Sequence, residues 1–158
     1  MAKLANSFLS TIKIAYPAYP YKIKTENGKE FIFDVIRKQW VALTPEEWVR
    51  QNFLQYLLQV KKYPGALIAV EKEIRLGELV KRCDIVIYDN TATPLLMTEC
   101  KAMEVDITAA AAEQILRYNI SLPVRYLVIT NGSYCFAFER TGKDFQPLME
   151  IPEWKNRE

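Results

Sequence analysis

A chain of 158 residues, half of them apolar, is long enough to bury a real core, and one domain spanning residues 1–158 is the default. The formal net charge of +2 argues neither for nor against a polyanionic partner, since a local basic groove can bind phosphates without a basic average. Histidine is absent, which excludes Ser-His-Asp and Cys-His chemistry and disfavours an ordinary zinc site, so any reaction must rest on carboxylates, lysine, tyrosine or a hard metal ion.

The first residues, MAKLANSFLSTIK, carry Asn6, Ser7, Ser10, Thr11 and Lys13, which interrupt the apolar run before a signal-peptide core can form. No later run approaches a membrane span. Cys83, Cys100 and Cys135 stand singly, in odd number and without CxxC spacing. They read as reduced core cysteines, so the expected location is cytoplasmic with no membrane partner.

Residues 1–20 are expected to form an extended arm, its end stiffened by Pro17 and Pro20. Residues 21–40 hold a β-hairpin: apolar and polar residues alternate on both sides of Asn27-Gly28, the dipeptide best suited to a type I′ turn. Thr44-Pro45-Glu46-Glu47 places threonine at an N-cap, proline at the first helical position and glutamate at the third. Val49, Phe53, Leu57 and Val60 follow at helical spacing, predicting a helix to about Lys62.

Pro64-Gly65 stops that helix, and residues 66–76 form a strand turning at Gly77. Residues 82–102, RCDIVIYDNTATPLLMTECKA, read as two apolar strands around a polar turn. A second helix spans residues 108–119, closed by Pro123. A strand at 125–130, a turn at Asn131-Gly132 and a return strand at 134–139 complete the series, with 140–158 as a tail. Residues 44–139 therefore form an αβββαβ core with one further strand, which packs naturally as an α/β (α+β) mixed sheet flanked by helices.

Asp84, Glu99 and Lys101 are charges set inside apolar strands. If Asp89 faces Pro94 across the turn, Asp84 falls opposite Glu99, and alternation puts Glu99 and Lys101 on the face of Leu95 and Met97. Two facing carboxylates repel unless a cation lies between them, and either Lys101 or a divalent ion can serve. Mg2+ prefers oxygen ligands and often takes one or two carboxylates plus substrate phosphate. Asp84, Glu99 and the backbone carbonyl of Cys100 as metal ligands, with Lys101 beside them, therefore suit metal-assisted phosphodiester hydrolysis. The same residues also read as an ordinary cross-strand ion-pair set on a solvated face.

Asp84, a turn, then Glu99-Cys100-Lys101 in an αβββαβ order resembles the PD-(D/E)XK nuclease superfamily. Several further segments are similar to the N-terminal nuclease domain of type I restriction enzyme R subunits. They are Thr44-Pro45-Glu46-Glu47 with Arg50-Gln51, Arg82-Cys83-Asp84-Ile85-Val86, Glu99-Cys100-Lys101-Ala102, the run from Gln114 to Asn119, and Thr130-Asn131-Gly132. The resemblance covers roughly residues 37–139.

It implies a restriction-endonuclease-like fold and a Mg2+ (or Mn2+) dependent DNA endonuclease in which Asp84 and Glu99 hold the metal and Lys101 is catalytic, with RNA as a further possible substrate. It also implies a metal role for Glu47, with Glu46 as fallback, although Glu47 equally fits the capping box. Gln114 and Tyr118, four apart on one helical face, match a Gln-x-x-x-Tyr motif that shapes the site and touches nucleic acid. Cys83 stands where the superfamily name has proline, and no helicase-like motor lies in these residues. The resemblance thus leaves open a stand-alone nuclease, a homodimer or a component with partner subunits, and equally a non-catalytic nucleic-acid-binding or assembly module that keeps the fold. Glu71 and Glu73 either approach the site, if their face is the same one, or form a solvated strand edge, and Lys61, Lys62, Lys81, Arg82, Arg117 and Arg125 either line a phosphate groove or serve solubility.

Overall fold

The computed structural model describes residues 10–155, so the beginning of the expected arm and the last residues of the expected tail lie outside the described residues. β1 (Ile12–Lys13) is a short strand within the arm. β2 (Ile23–Glu26) and β3 (Lys29–Asp34) form the expected hairpin, with Asn27 and Gly28 at φ 50° and 76° in its turn. β4 (Gln39–Ala42) adds a third strand, giving a small sheet in the order β2-β3-β4. Trp40 and Val41 carry the β propensity that extends it beyond a hairpin.

α1 (Pro45–Gln59) starts where expected, with Thr44 Oγ1 accepting from the Glu47 amide at 3.0 Å. It ends before Lys62 because the chain turns over at that residue, φ 63°. There the Lys61 amide donates to Tyr56 O and the Tyr63 amide to Leu57 O, which satisfies the last carbonyls without another helical turn. Residues 65–67 form a single 3-10 turn, so the following strand, β5 (Ile68–Leu76), begins two residues later than its apolar run suggests. β6 (Leu79–Tyr88), β7 (Pro94–Cys100), α2 (Ala109–Tyr118), β8 (Tyr126–Thr130) and β9 (Tyr134–Thr141) follow in the anticipated order. β10 (Asp144–Pro147) is a further strand in the stretch expected as a tail, and it pairs with β9. Beyond it Ile151 is buried and the Tyr63 hydroxyl donates to Pro152 O at 2.6 Å.

The main sheet has seven strands ordered β1-β9-β8-β7-β6-β5, with β10 also on β9. It is mixed: β7 and β8 are parallel across the α2 crossover, and the other pairs are antiparallel. Its two faces separate cleanly in the central strands. Leu96 and Val128 pack with Val49, Phe53, Leu54 and Leu57 of α1, while Met97, Leu127 and Ile129 pack with Ala112 and Leu116 of α2. Full burial of each such side chain contributes about 1.5–3 kcal/mol, so both helices are held by their apolar stripes. No helix among the described residues is long and apolar enough to cross a membrane. The three cysteines are free and buried.

Candidate functional site

The β6–β7 pairing has the register that the sequence suggests, with Ile85↔Thr98, Val86↔Met97 and Ile87↔Leu96, so one further step sets Asp84 across from Glu99. The turn differs. Tyr88, not Asp89, faces Pro94, after a register shift beside Ile87. Asp89 Oδ1 instead accepts from the Thr91 and Thr93 amides and closes the turn on itself. The shift also separates Leu95 from Met97. Leu95 joins the α1-side cluster, contrary to strict alternation from Glu99.

A second irregularity lies at Asp84 itself. Cys83 and Val86 both pack in the α2-side cluster although they are three positions apart, whereas Ile85 and Ile87 pack towards α1. Alternation therefore breaks between Cys83 and Val86. On the neighbouring strand Glu71, which lies between the pairs Val70↔Ile85 and Lys72↔Cys83, has φ 52°, a conformation unusual for a residue with a Cβ. The break re-aims Asp84. Its Oδ1 accepts from Arg50 Nη2 of α1 at 2.9 Å and its Oδ2 from the Cys100 amide at 2.8 Å.

Glu99 and Lys101 meet as expected, with Lys101 Nζ 3.7 Å from Glu99 Oε1. Glu99 Oε2 is buried and has no hydrogen-bond partner. Burial raises the pKa of this carboxyl, Lys101 pulls it down, nearby Asp84 raises it and Lys81 lowers it, with a net rise. A second lysine thus acts on Glu99. Lys81 is itself buried, its Nζ 3.3 Å from Asn119 Oδ1 and 2.8 Å from the centre of the Tyr118 ring. Lys81, Asp84, Met97, Glu99, Tyr118 and Asn119 line a recess of about 270 Å3. Tyr118 is 71% exposed and forms its outer wall rather than core. Gln114 is exposed on α2 and does not line the recess.

Glu47 lies on the α1 side in a buried ion-pair cluster. Its Oε1 accepts from Arg37 Nη2 at 2.8 Å and Arg50 Nη1 at 2.7 Å, and its Oε2 from Gln51 Nε2 at 3.2 Å. Only half of the expected capping box forms, because the Glu47 carboxylate is drawn to these cations. Burial lowers the Arg50 pKa, but the hydrogen bond to Asp84 and the charges of Glu47 and Asp84 raise it further, so the guanidinium stays charged. Glu46 Oε1 is 3.4 Å from Arg50 Nη2.

Glu71 belongs to the same cluster, so of its two readings the approach to the site holds and the solvated edge does not. It pairs with Arg82, Arg37 and Arg50 at 3.0, 3.4 and 3.6 Å. Burial raises its pKa, yet the Arg82 hydrogen bond and the charges of Arg50, Arg37 and Arg82 bring it below the usual value. Glu73 is exposed, in keeping with the solvated edge. An open groove of about 720 Å3 runs past Arg37, Glu47, Arg50 and Glu71 to Ala102 and Glu104. Arg50 and Lys81 carry more of the site than their sequence positions suggest, through Asp84 and Glu99 respectively. Charged positions within otherwise apolar segments were the available signal for Lys81.

Asp84 and Glu99 are thus two acids on neighbouring strands, one with an orphaned oxygen. No group of three or more His, Cys, Asp or Glu suited to a metal occurs among the described residues. Residues 45–152, more than half the chain, match the family described as type I restriction enzyme R protein N terminus. The matched stretch runs from the start of α1 past β10 and contains Asp84, Glu99 and Lys101. No curated protein matches the chain.

Proposed function

This chain belongs to the type I restriction enzyme R protein N-terminus family, and from that premise we propose that it is a divalent-metal-dependent endonuclease of the PD-(D/E)XK kind. Its reaction is the hydrolysis of DNA phosphodiester bonds at Asp84, Glu99 and Lys101. The observation that carries the reading is the buried, partnerless Oε2 of Glu99 beside Asp84. An acceptor-only oxygen in that position is costly unless a cation or proton meets it.

The donor set fits Mg2+ or Mn2+. Glu99 Oε2, the remaining lone pairs of Asp84 and the Cys100 carbonyl are hard oxygens, and Mg2+ needs few protein ligands when water and phosphate complete its shell. When bound, the ion would supply positive charge to the scissile phosphate and a more acidic water. Lys101 stabilises the negative charge that develops at the phosphate and helps orient the attacking water. Arg50 and the Cys100 amide fix the Asp84 carboxylate. Glu47 enters through Arg50 rather than as a ligand, because Arg37, Arg50 and Gln51 already engage both of its oxygens. Tyr118 and Gln114, on the outer face of α2, contact the nucleic acid, and partner subunits or a second copy supply what double-strand cutting requires.

The Arg50–Asp84 ion pair favours one other reading, a DNA-binding or assembly module whose acid has been turned to structural use. Incubation with plasmid, linear DNA and RNA in Mg2+ or Mn2+ separates the two. Nicking that needs the ion and falls about 100-fold or more in Lys101→Met and Glu99→Gln supports the nuclease. Cleavage equal in all three proteins removes the proposed site, and salt-sensitive binding without cleavage establishes the module.

A further inference from the structure

The outer face of the β2-β3-β4 sheet lies outside the recess that holds Asp84 and Glu99. The register pairs Lys24 with Phe31, Phe31 with Ala42 and Phe33 with Trp40, so these side chains share one face. Ile32 and Asp34 alternate to the other face and are buried. The outward rings are adjacent, with Phe33 and Trp40 centroids 5.5 Å apart at 69°, and Trp40 is 40% exposed. Lysines surround them. Lys24 Nζ stands 4.6 Å from the Trp40 ring centre and Lys22 Nζ 5.9 Å from that of Phe33, while Lys29 and Lys38 are exposed at the two turns. Glu26 is the acid of this face, and Lys24 pairs with it at 3.0 Å.

We propose that this face is a binding platform for single-stranded DNA, which stacks bases on Trp40 and Phe33 and draws its phosphates to Lys22, Lys24, Lys29 and Lys38. Two independent features select that occupant. The charge is complementary to a polyanion, and the exposed Trp40 ring beside the half-buried Phe33 ring rewards a ligand that offers flat faces, which an unpaired strand presents and a duplex hides within its own stack. A stacked base outweighs one exposed ammonium over the same ring, so a base on Trp40 would release Lys24 to a phosphate. The choice of DNA over RNA rests on the nuclease reading above. Binding on this face does not require the Asp84 and Glu99 site to cut. The platform and the site are nevertheless close. The Asp34 carboxylate, behind the platform, bonds Arg37 and Gln51, and Ala42 on the platform also lines the groove that passes Glu47 and Arg50.

Fluorescence anisotropy of the full chain tests this with labelled oligothymidine, the matching duplex and oligouridine, without divalent ions. Oligothymidine should bind more tightly than duplex. Trp40→Ala should weaken it about 5-fold or more and Phe33→Ala/Trp40→Ala further, while the single variant still unfolds cooperatively and stays folded at the assay temperature. Lys22→Ala/Lys24→Ala should reduce the slope of log K against log salt by about 1.4. Equal affinity for strand and duplex that Trp40→Ala leaves untouched overturns the platform, and so does tighter binding of oligouridine than of oligothymidine. Loss of cleavage with strand binding intact counts against the nuclease reading alone. Intact cleavage with no Trp40-dependent strand binding counts against the platform alone.

Discussion

Arg50→Met removes the cation that joins α1 to β6 while keeping an unbranched apolar stem of similar length. The Arg50 side chain is 6% exposed and its guanidinium contacts Glu47 at 2.7 Å and Asp84 at 2.9 Å, with side-chain exposures of 6% and 20%. Removing one partner of a buried ion pair costs about 3–5 kcal/mol, because the other charge is left uncompensated. Three features place this case near the lower end. Glu47 keeps Arg37 and Gln51, Asp84 keeps the Cys100 amide, and the variant eliminates the buried, partnerless Arg50 Nε. The expected loss is about 3 kcal/mol, or a fall in Tm of roughly 6–12 °C for a domain of this size. Urea and thermal unfolding measure it. In a double-mutant cycle Asp84→Asn should cost less in the Arg50→Met background than in wild type. A loss below about 1 kcal/mol, the range of exposed pairs, would show that water screens the cluster and would refute the buried-charge reasoning.

Glu99→Gln should stabilise the metal-free protein at neutral pH. Burial holds this carboxyl above its ordinary pKa despite Lys101, so between the unfolded and folded values the native state binds more protons, and stability falls as pH rises through that window. Glutamine lacks the charge, so its advantage should be full above the folded pKa and vanish below the ordinary carboxylate range. Urea midpoints that run parallel from about pH 4 to about pH 8 would contradict this. Gly132→Ala should cost roughly 1–3 kcal/mol, since its φ is 93° and the new Cβ would lie 3.2 Å from Val49 Cγ2 and 3.3 Å from Met103 Cγ. An unchanged unfolding midpoint would mean that the turn and α1 adjust freely.

The elements that local chemistry punctuates were legible. Asn27-Gly28, Thr44-Pro45 and Asn131-Gly132 each impose a backbone geometry on a few residues, and the structure has a turn or a helix start at each. The α1 terminus was not legible, because Lys62 takes a left-handed conformation without being glycine. β10 escaped notice because Phe145 is its one fully buried position. In the site, the register of Asp84 and Glu99 agrees with that expected from the turn, although the turn itself pairs Tyr88 with Pro94 and a register shift beside Ile87 restores the alignment. The aim of Asp84 was not legible, since it depends on the backbone of Glu71, whose side chain resembles any strand-edge glutamate in sequence. Arg50 was hidden for a related reason. It occupies a polar position on an amphipathic helix and is buried only because Glu47 and Asp84 converge on it.

The break in alternation at Asp84 turns a sheet that otherwise partitions the domain into one that communicates between its sides. Asp84 lines the recess next to α2 while its carboxylate is bonded to an arginine of α1. A charge change at Glu47, which lies behind the sheet as seen from that recess, is therefore two links from Glu99, through Arg50 and Asp84. The carboxylate that raises the pKa of Glu99 is thus held in place by a helix that does not line the recess.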